Sequence, residues 1–110
     1  MSQRLPASLE VSALVRLVGA EGGFASVLRK GEPDAGTILV VLTEKGENTR
    51  VFERMPTLEG GRKWHLSRSE TTDSKQEIDE YLARRGDQDA DLWIVELDIA
   101  GGERLIGLTD

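Results

Sequence analysis

The chain has 110 residues with 14 basic and 20 acidic side chains, one histidine and no cysteine, for a formal net charge of −6. A composition 38% hydrophobic and 31% charged is too apolar for a disordered chain and too charged for a membrane protein, and the length leaves room for one core, hence one domain over 1–110. The missing cysteines exclude disulfides, thiol catalysis, zinc–cysteine sites and iron–sulfur clusters, and a lone histidine excludes a multi-histidine metal site within one chain.

Pro6-Ala7-Ser8 reads as a helix entrance, with Ser8 placed to accept a backbone N–H and Glu10 near the positive end of the helix. Val11, Leu14, Val15 and Val18 follow at i, i+3, i+4, i+7, which predicts a first helix over Leu9 to Ala20 with one apolar stripe. Four strands are expected next. Phe24 to Lys30 is the first. Thr37 to Thr43 is apolar on both faces, the mark of a central strand covered on both sides. Thr49 to Arg54 and Lys63 to Arg68 alternate more clearly. The connections are short and rich in Gly and Pro, including Pro56 and Gly60-Gly61, so the strands read as an antiparallel meander.

Ser74-Lys75-Gln76-Glu77 is a capping box that opens a second helix, buried through Ile78, Tyr81 and Leu82 and stopped by Arg84-Arg85-Gly86. Leu92 to Ile99 is a last long strand. Leu105, Ile106 and Leu108, after Gly101-Gly102, form a short final strand or an apolar tail. The expected fold is therefore α+β: a four- to five-stranded antiparallel meander packed by two helices on one face, in the order α-β-β-β-β-α-β. Two helices on one face leave the other face of Ile38 to Leu42 bare. Either the apolar tail or a second copy of the chain is expected to cover it, and the hypothesis taken is the second copy, as a homodimer.

No apolar run reaches signal-peptide or membrane-spanning length, so the expected location is cytoplasmic, without membrane contact. The acidic excess falls in residues 56–110, whereas between residues 45 and 68 six cations stand against three carboxylates. An acidic whole with one basic segment disfavours general affinity for nucleic acid and leaves room for a local anionic partner.

An Arg-Leu start, an apolar helix carrying Arg16, the turn Gly31-Glu32-Pro33-Asp34-Ala35-Gly36, the run Gly61-Arg62-Lys63-Trp64 and the strand Asp91-Leu92-Trp93-Ile94-Val95-Glu96 follow one another in order. With these features the chain resembles the family of small alphaproteobacterial proteins catalogued as domain of unknown function 1491. The resemblance spans roughly Arg4 to Glu96. It implies a bacterial, cytoplasmic, single-domain protein and supplies no catalytic residue.

The basic, aromatic-bearing hairpin is the leading functional feature. Arg50, Phe52 and Arg54 share a strand face, and Arg62, Lys63, Trp64 and Arg68 add cations and an indole. Such a surface can dock an acidic protein segment, or bind phosphates and stack on bases. The expected function is a non-enzymatic binding or adaptor module, with RNA binding as an alternative; no RNA-binding signature supports the latter. Trp64 is the candidate exposed anchor, whereas Trp93 reads as core. The competing class is a small carboxylate-based enzyme using Glu32 and Asp34 of the 31–36 loop with His65. Turn chemistry accounts for that loop fully and is the preferred reading: Pro33 presets φ, Asp34 supports the turn, and the glycines take positive φ. Asp87-Gln88-Asp89-Ala90-Asp91 imitates a calcium loop but places Leu92 where glycine is needed, so it reads as a solvated connection. Neither a metal nor another cofactor is expected.

Overall fold

The structure, a computed structural model, describes residues 5–56 and 58–107. The chain runs α1 (Ala7–Ala20), β1 (Phe24–Arg29), β2 (Ile38–Glu44), β3 (Glu47–Pro56), β4 (Arg62–Ser69), α2 (Lys75–Gln88), β5 (Trp93–Asp98) and α3 (Glu103–Gly107). The α+β order expected from periodicity is present, with a third helix added.

The predicted stripe of α1 is its buried face: Val11, Leu14 and Val18 are buried and Ala7 extends the stripe by a turn. Its cap differs from expectation. Pro6 is the N-cap, with no side-chain hydrogen bond. The N–H groups of Ala7 and Ser8 donate instead to the carbonyls of Asp34 (3.1 Å) and Pro33 (2.8 Å). A connection distant in sequence thus satisfies donors that a serine hydroxyl otherwise would.

The sheet has five strands in the order β1-β5-β2-β3-β4. β2, β3 and β4 form the expected antiparallel meander, but β5 inserts between β1 and β2, antiparallel to the first and parallel to the second. The sheet is therefore mixed rather than purely antiparallel. The cause is α2, a crossover long enough to return the chain across the sheet and lay down a parallel neighbour. It follows that the 31–36 connection is not a hairpin: it joins two strands separated by β5. Gly31 and Gly36 do not adopt positive φ. They are glycines because the loop crosses the entrance of β5 so closely that a Cβ on either would strike the Asp91 carbonyl.

Helices cover both faces of the sheet, not one. On the first, α1 and α3 bury Leu14, Val18, Leu105 and Ile106 against Ile38, Val40, Leu42, Val95 and Leu97. On the second, Ile78 of α2, flanked by Tyr81 and Leu82, packs on Leu39, Val41, Val51, Leu92 and Ile94. β2 is the doubly covered central strand, buried from Ile38 through Thr43. Since α2 covers the second face, the bare apolar surface that called for a second copy is not there.

Two local signals have different outcomes. Ser74 and Glu77 form the capping box as expected, with bonds of 3.1 and 2.8 Å. Gly86 does not stop α2; it is buried inside the helix, where a Cβ would press on the Arg29 side chain at 3.2 Å. The expected final strand is the helix α3, entered through Gly101 at φ +66°. Leu108 lies outside the described residues. No helix among the described residues is long and apolar enough to cross a membrane.

Candidate functional site

The β3–β4 hairpin pairs Phe52 with Leu66, Glu53 with His65, Arg54 with Trp64, Met55 with Lys63 and Pro56 with Arg62. Cross-strand partners share a face of the sheet, so the register divides the predicted basic surface in two. Arg50, Phe52, Arg54, Arg62 and Trp64 lie on the α1/α3 side. Lys63 and His65 lie on the α2 side, and a register shift between Val51 and Phe52 brings Arg68 there as well.

On the α1/α3 side the cations are bound within the chain. Arg50 donates through Nε and Nη2 to the two carboxylate oxygens of Glu103, at 2.6 and 3.0 Å, and through Nη1 to the Asn48 carbonyl at 2.6 Å. Arg54 pairs with Glu10, the two side chains being 4% and 7% exposed, and its guanidinium lies 4.8 Å over the Trp64 ring. Arg62 reaches the other oxygen of Glu10 at 3.3 Å. The Trp64 indole donates to the Ile106 carbonyl at 3.1 Å and packs on the core. Phe52 is half-buried against the same core. These side chains clamp β3 and β4 to α1 and α3. Trp64 is thus not the exposed anchor expected of it.

On the α2 side, Arg68 stacks 4.1 Å from the centre of the Tyr81 ring. Arg85 grips Glu53 with two bonds of 2.5 and 2.8 Å and donates to the Tyr81 hydroxyl at 2.9 Å. That carboxylate, ahead of the opposing cost of burial, pushes the Arg85 guanidinium further up from an already high pKa. Lys63 and His65 remain exposed. So do Met55, Leu58 and Leu66 on the same hairpin.

Glu32 and Asp34 are in the turn that crosses β5. One Glu32 oxygen accepts from the N–H groups of Asp34 and Ala35, at 2.8 and 2.5 Å, and the Glu32 carbonyl accepts the Trp93 indole N–H at 2.8 Å. Asp34 faces a cleft of about 430 Å³ between this turn, Glu10 and Arg62. The acid/base set proposed from sequence is not assembled: Asp34 lines the cleft on the α1 side, whereas His65 is on the opposite face beside Glu53. Asp89 accepts from the Asp91 N–H at 2.9 Å in a helix-to-strand connection. Among the described residues no three His, Cys, Asp or Glu side chains gather as a metal-binding group.

Glu10 does more than complement the helix dipole: it is buried on the apolar stripe with Leu14 and Val18. That position signals a buried carboxylate in need of cations.

With this geometry in place, the sequence family described as "Protein of unknown function (DUF1491)" matches residues 5–107. The chain belongs to the DUF1491 family. It is similar to the crystal structure of a DUF1491 family protein from Caulobacter crescentus CB15, at 33% identity and TM-score 0.78, covering 86% of this chain and 88% of that one. An NMR structure of a DUF1491 family protein from the same organism gives 29% identity and TM-score 0.79 over 92% and 91%. A solution structure of a protein from A. tumefaciens gives 31% identity and TM-score 0.69 over 88% and 87%. No curated protein matches the chain. The family resemblance seen in the sequence agrees with the two Caulobacter crescentus DUF1491 structures.

Proposed function

We propose that this DUF1491 protein is a non-enzymatic binding module that meets an acidic protein segment through the outer surface of its β3–β4 hairpin. The observation that carries this reading is the division of the hairpin's cations. Arg50, Arg54 and Arg62 hold the fold together, whereas Lys63 and His65 stay exposed on a strand that carries no acidic residue, with exposed Met55 cross-strand from Lys63 and exposed Leu66 on the other face of the same strand. An exposed lysine next to an imidazole that can donate a hydrogen bond, bordered by apolar side chains, suits a partner that supplies carboxylates and apolar contacts together. The alternatives have less support. The two aromatics that would stack on RNA bases, Phe52 and Trp64, pack against the core. Of the carboxylates in the proposed enzyme, Glu32 caps its own turn.

The test is affinity isolation of the tagged protein at low salt, with mass spectrometry of what is retained, for the wild type and for a Lys63→Glu, His65→Glu variant. The wild type should retain a partner with an acidic segment and the variant should lose it. Unchanged recovery sinks the proposal, and loss on nuclease treatment transfers it to RNA. Arg50 and Arg54 are unsuitable for charge reversal, because breaking their internal pairs would perturb the fold itself.

A second copy of the chain has a separate candidate seat at the opposite edge of the sheet. There β1 exposes Phe24, Val27 and Leu28. Sedimentation at micromolar concentration, compared with Phe24→Ser, decides it; a monomer in both ends the homodimer reading.

A further inference from the structure

Among the described residues β4 is an outer strand of the sheet, bonded to β3 on one side. Its two faces differ in chemistry. Lys63 and His65, cross-strand from Met55 and Glu53, point to the α2 side. Trp64 and Leu66, cross-strand from Arg54 and Phe52, point to the α1/α3 side; Leu66 is 48% exposed. An extended segment lying along this edge would therefore meet polar neighbours, Lys63 and His65, and apolar ones at alternate positions. An edge strand offers unpaired backbone N–H and C=O groups for exactly one more strand, with affinity from the main chain and selectivity from alternate side chains.

From this we infer that β4 takes, as a sixth strand, an extended segment whose carboxylates alternate with apolar residues. The inference rests on the proposed hairpin contact and specifies its partner. The charge of β4 argues for an acidic occupant over a second copy. Pairing β4 with itself would bring Arg62, Lys63 and Arg68 of two strands together with no acid on either strand to offset them. Like charges placed opposite across strands are destabilising, and edge lysines discourage such self-pairing. The register shift between Val51 and Phe52 limits the regular edge to Arg62 through Leu66. A segment of about five or six residues fits it, at the usual length of a strand.

The test uses the whole protein, labelled for amide NMR, and three capped hexapeptides. One alternates glutamate and valine. The second has the same composition in two blocks. The third is the alternating peptide N-methylated at every amide, so that neither of its edges can donate. The alternating peptide should shift the amides of Arg62 to Leu66, slow their hydrogen exchange, and bind about tenfold more tightly than either control, the equivalent of one or two net hydrogen bonds. Lys63→Glu, with an otherwise unchanged amide spectrum, should remove that advantage. Equal binding of all three peptides at the hairpin overturns strand addition and leaves the hairpin contact standing. Binding centred on β1 overturns the assignment to β4. Absence of binding by every peptide overturns strand addition, and if the Lys63→Glu, His65→Glu variant also retains the native partner, the hairpin contact falls with it.

Discussion

Glu10 of α1 and Arg54 of β3, 44 residues apart in the chain, meet as a buried ion pair roofed by Trp64 on the guanidinium and shared with Arg62 at the carboxylate. A buried carboxylate without its cations is costly, and so is a buried guanidinium without its anion. This cluster fixes where the first turn of α1 sits on the sheet. It also explains why so basic a hairpin presents so little free charge on that side.

Glu10→Ala should therefore destabilise the protein by about 3–5 kcal/mol, the usual cost of stranding one member of a buried pair. Urea unfolding followed by tryptophan fluorescence measures it. Glu21→Ala, which breaks the exposed pair with Arg104 at 3.2 Å, should change stability by less than about 1 kcal/mol. Equal losses in the two variants would show that the Glu10 cluster is not a structural anchor.

Two glycine substitutions should have opposite signs. Gly31→Ala drives a methyl group into the Asp91 carbonyl, a backbone atom that cannot move aside cheaply. It should cost more than about 1 kcal/mol, in the range of overpacked sites. Gly19→Ala, in α1 with open space around its Cβ position, should stabilise by about 0.5–1 kcal/mol through the restricted unfolded chain and better helix propensity. Thermal melts of both variants against the wild type give the comparison.

Ile78 is the main apolar contact of α2 with the second sheet face and is 1% exposed. Ile78→Ala should cost about 2–5 kcal/mol. Leu66→Ala, on the exposed hairpin, should stay within about 0.5 kcal/mol. If Ile78→Ala proves equally mild, α2 does not cover the sheet as described.

Ser74→Ala removes the side-chain acceptor of the capping box. It should cost about 1 kcal/mol and speed amide exchange in the first turn of α2, most at Glu77, whose N–H loses its partner. Exchange that quickens equally along all of α2 would indicate global loosening instead of a frayed end.

Local physics was readable where a residue's role depends on its near neighbours. The stripe of α1, the capping box of α2 and the doubly apolar β2 each follow from spacing within a dozen residues. The roles of Gly31, Gly36 and Gly86 are hidden for the complementary reason: local pattern points to turn or helix-end conformation. All three are instead glycines because a distant part of the chain passes too close to admit a side chain. Within the candidate site, the sequence found the cations of the hairpin but not their partners. Glu10 is brought to Arg54 and Arg62, and Glu103 to Arg50, by packing, and only that packing separates structural arginines from the exposed Lys63 and His65.

By itself the sequence determined the kinds of element, their order, the chemistries closed to a chain without cysteine, and the family. Periodicity and composition are local or summed properties and survive without coordinates. Only the tertiary structure decided that β5 enters between β1 and β2, that helices shield both faces of the sheet, and that most of the hairpin's arginines point inward. Those outcomes depend on which surfaces meet across long stretches of chain, where burial free energy and charge pairing choose among arrangements that the same local pattern permits.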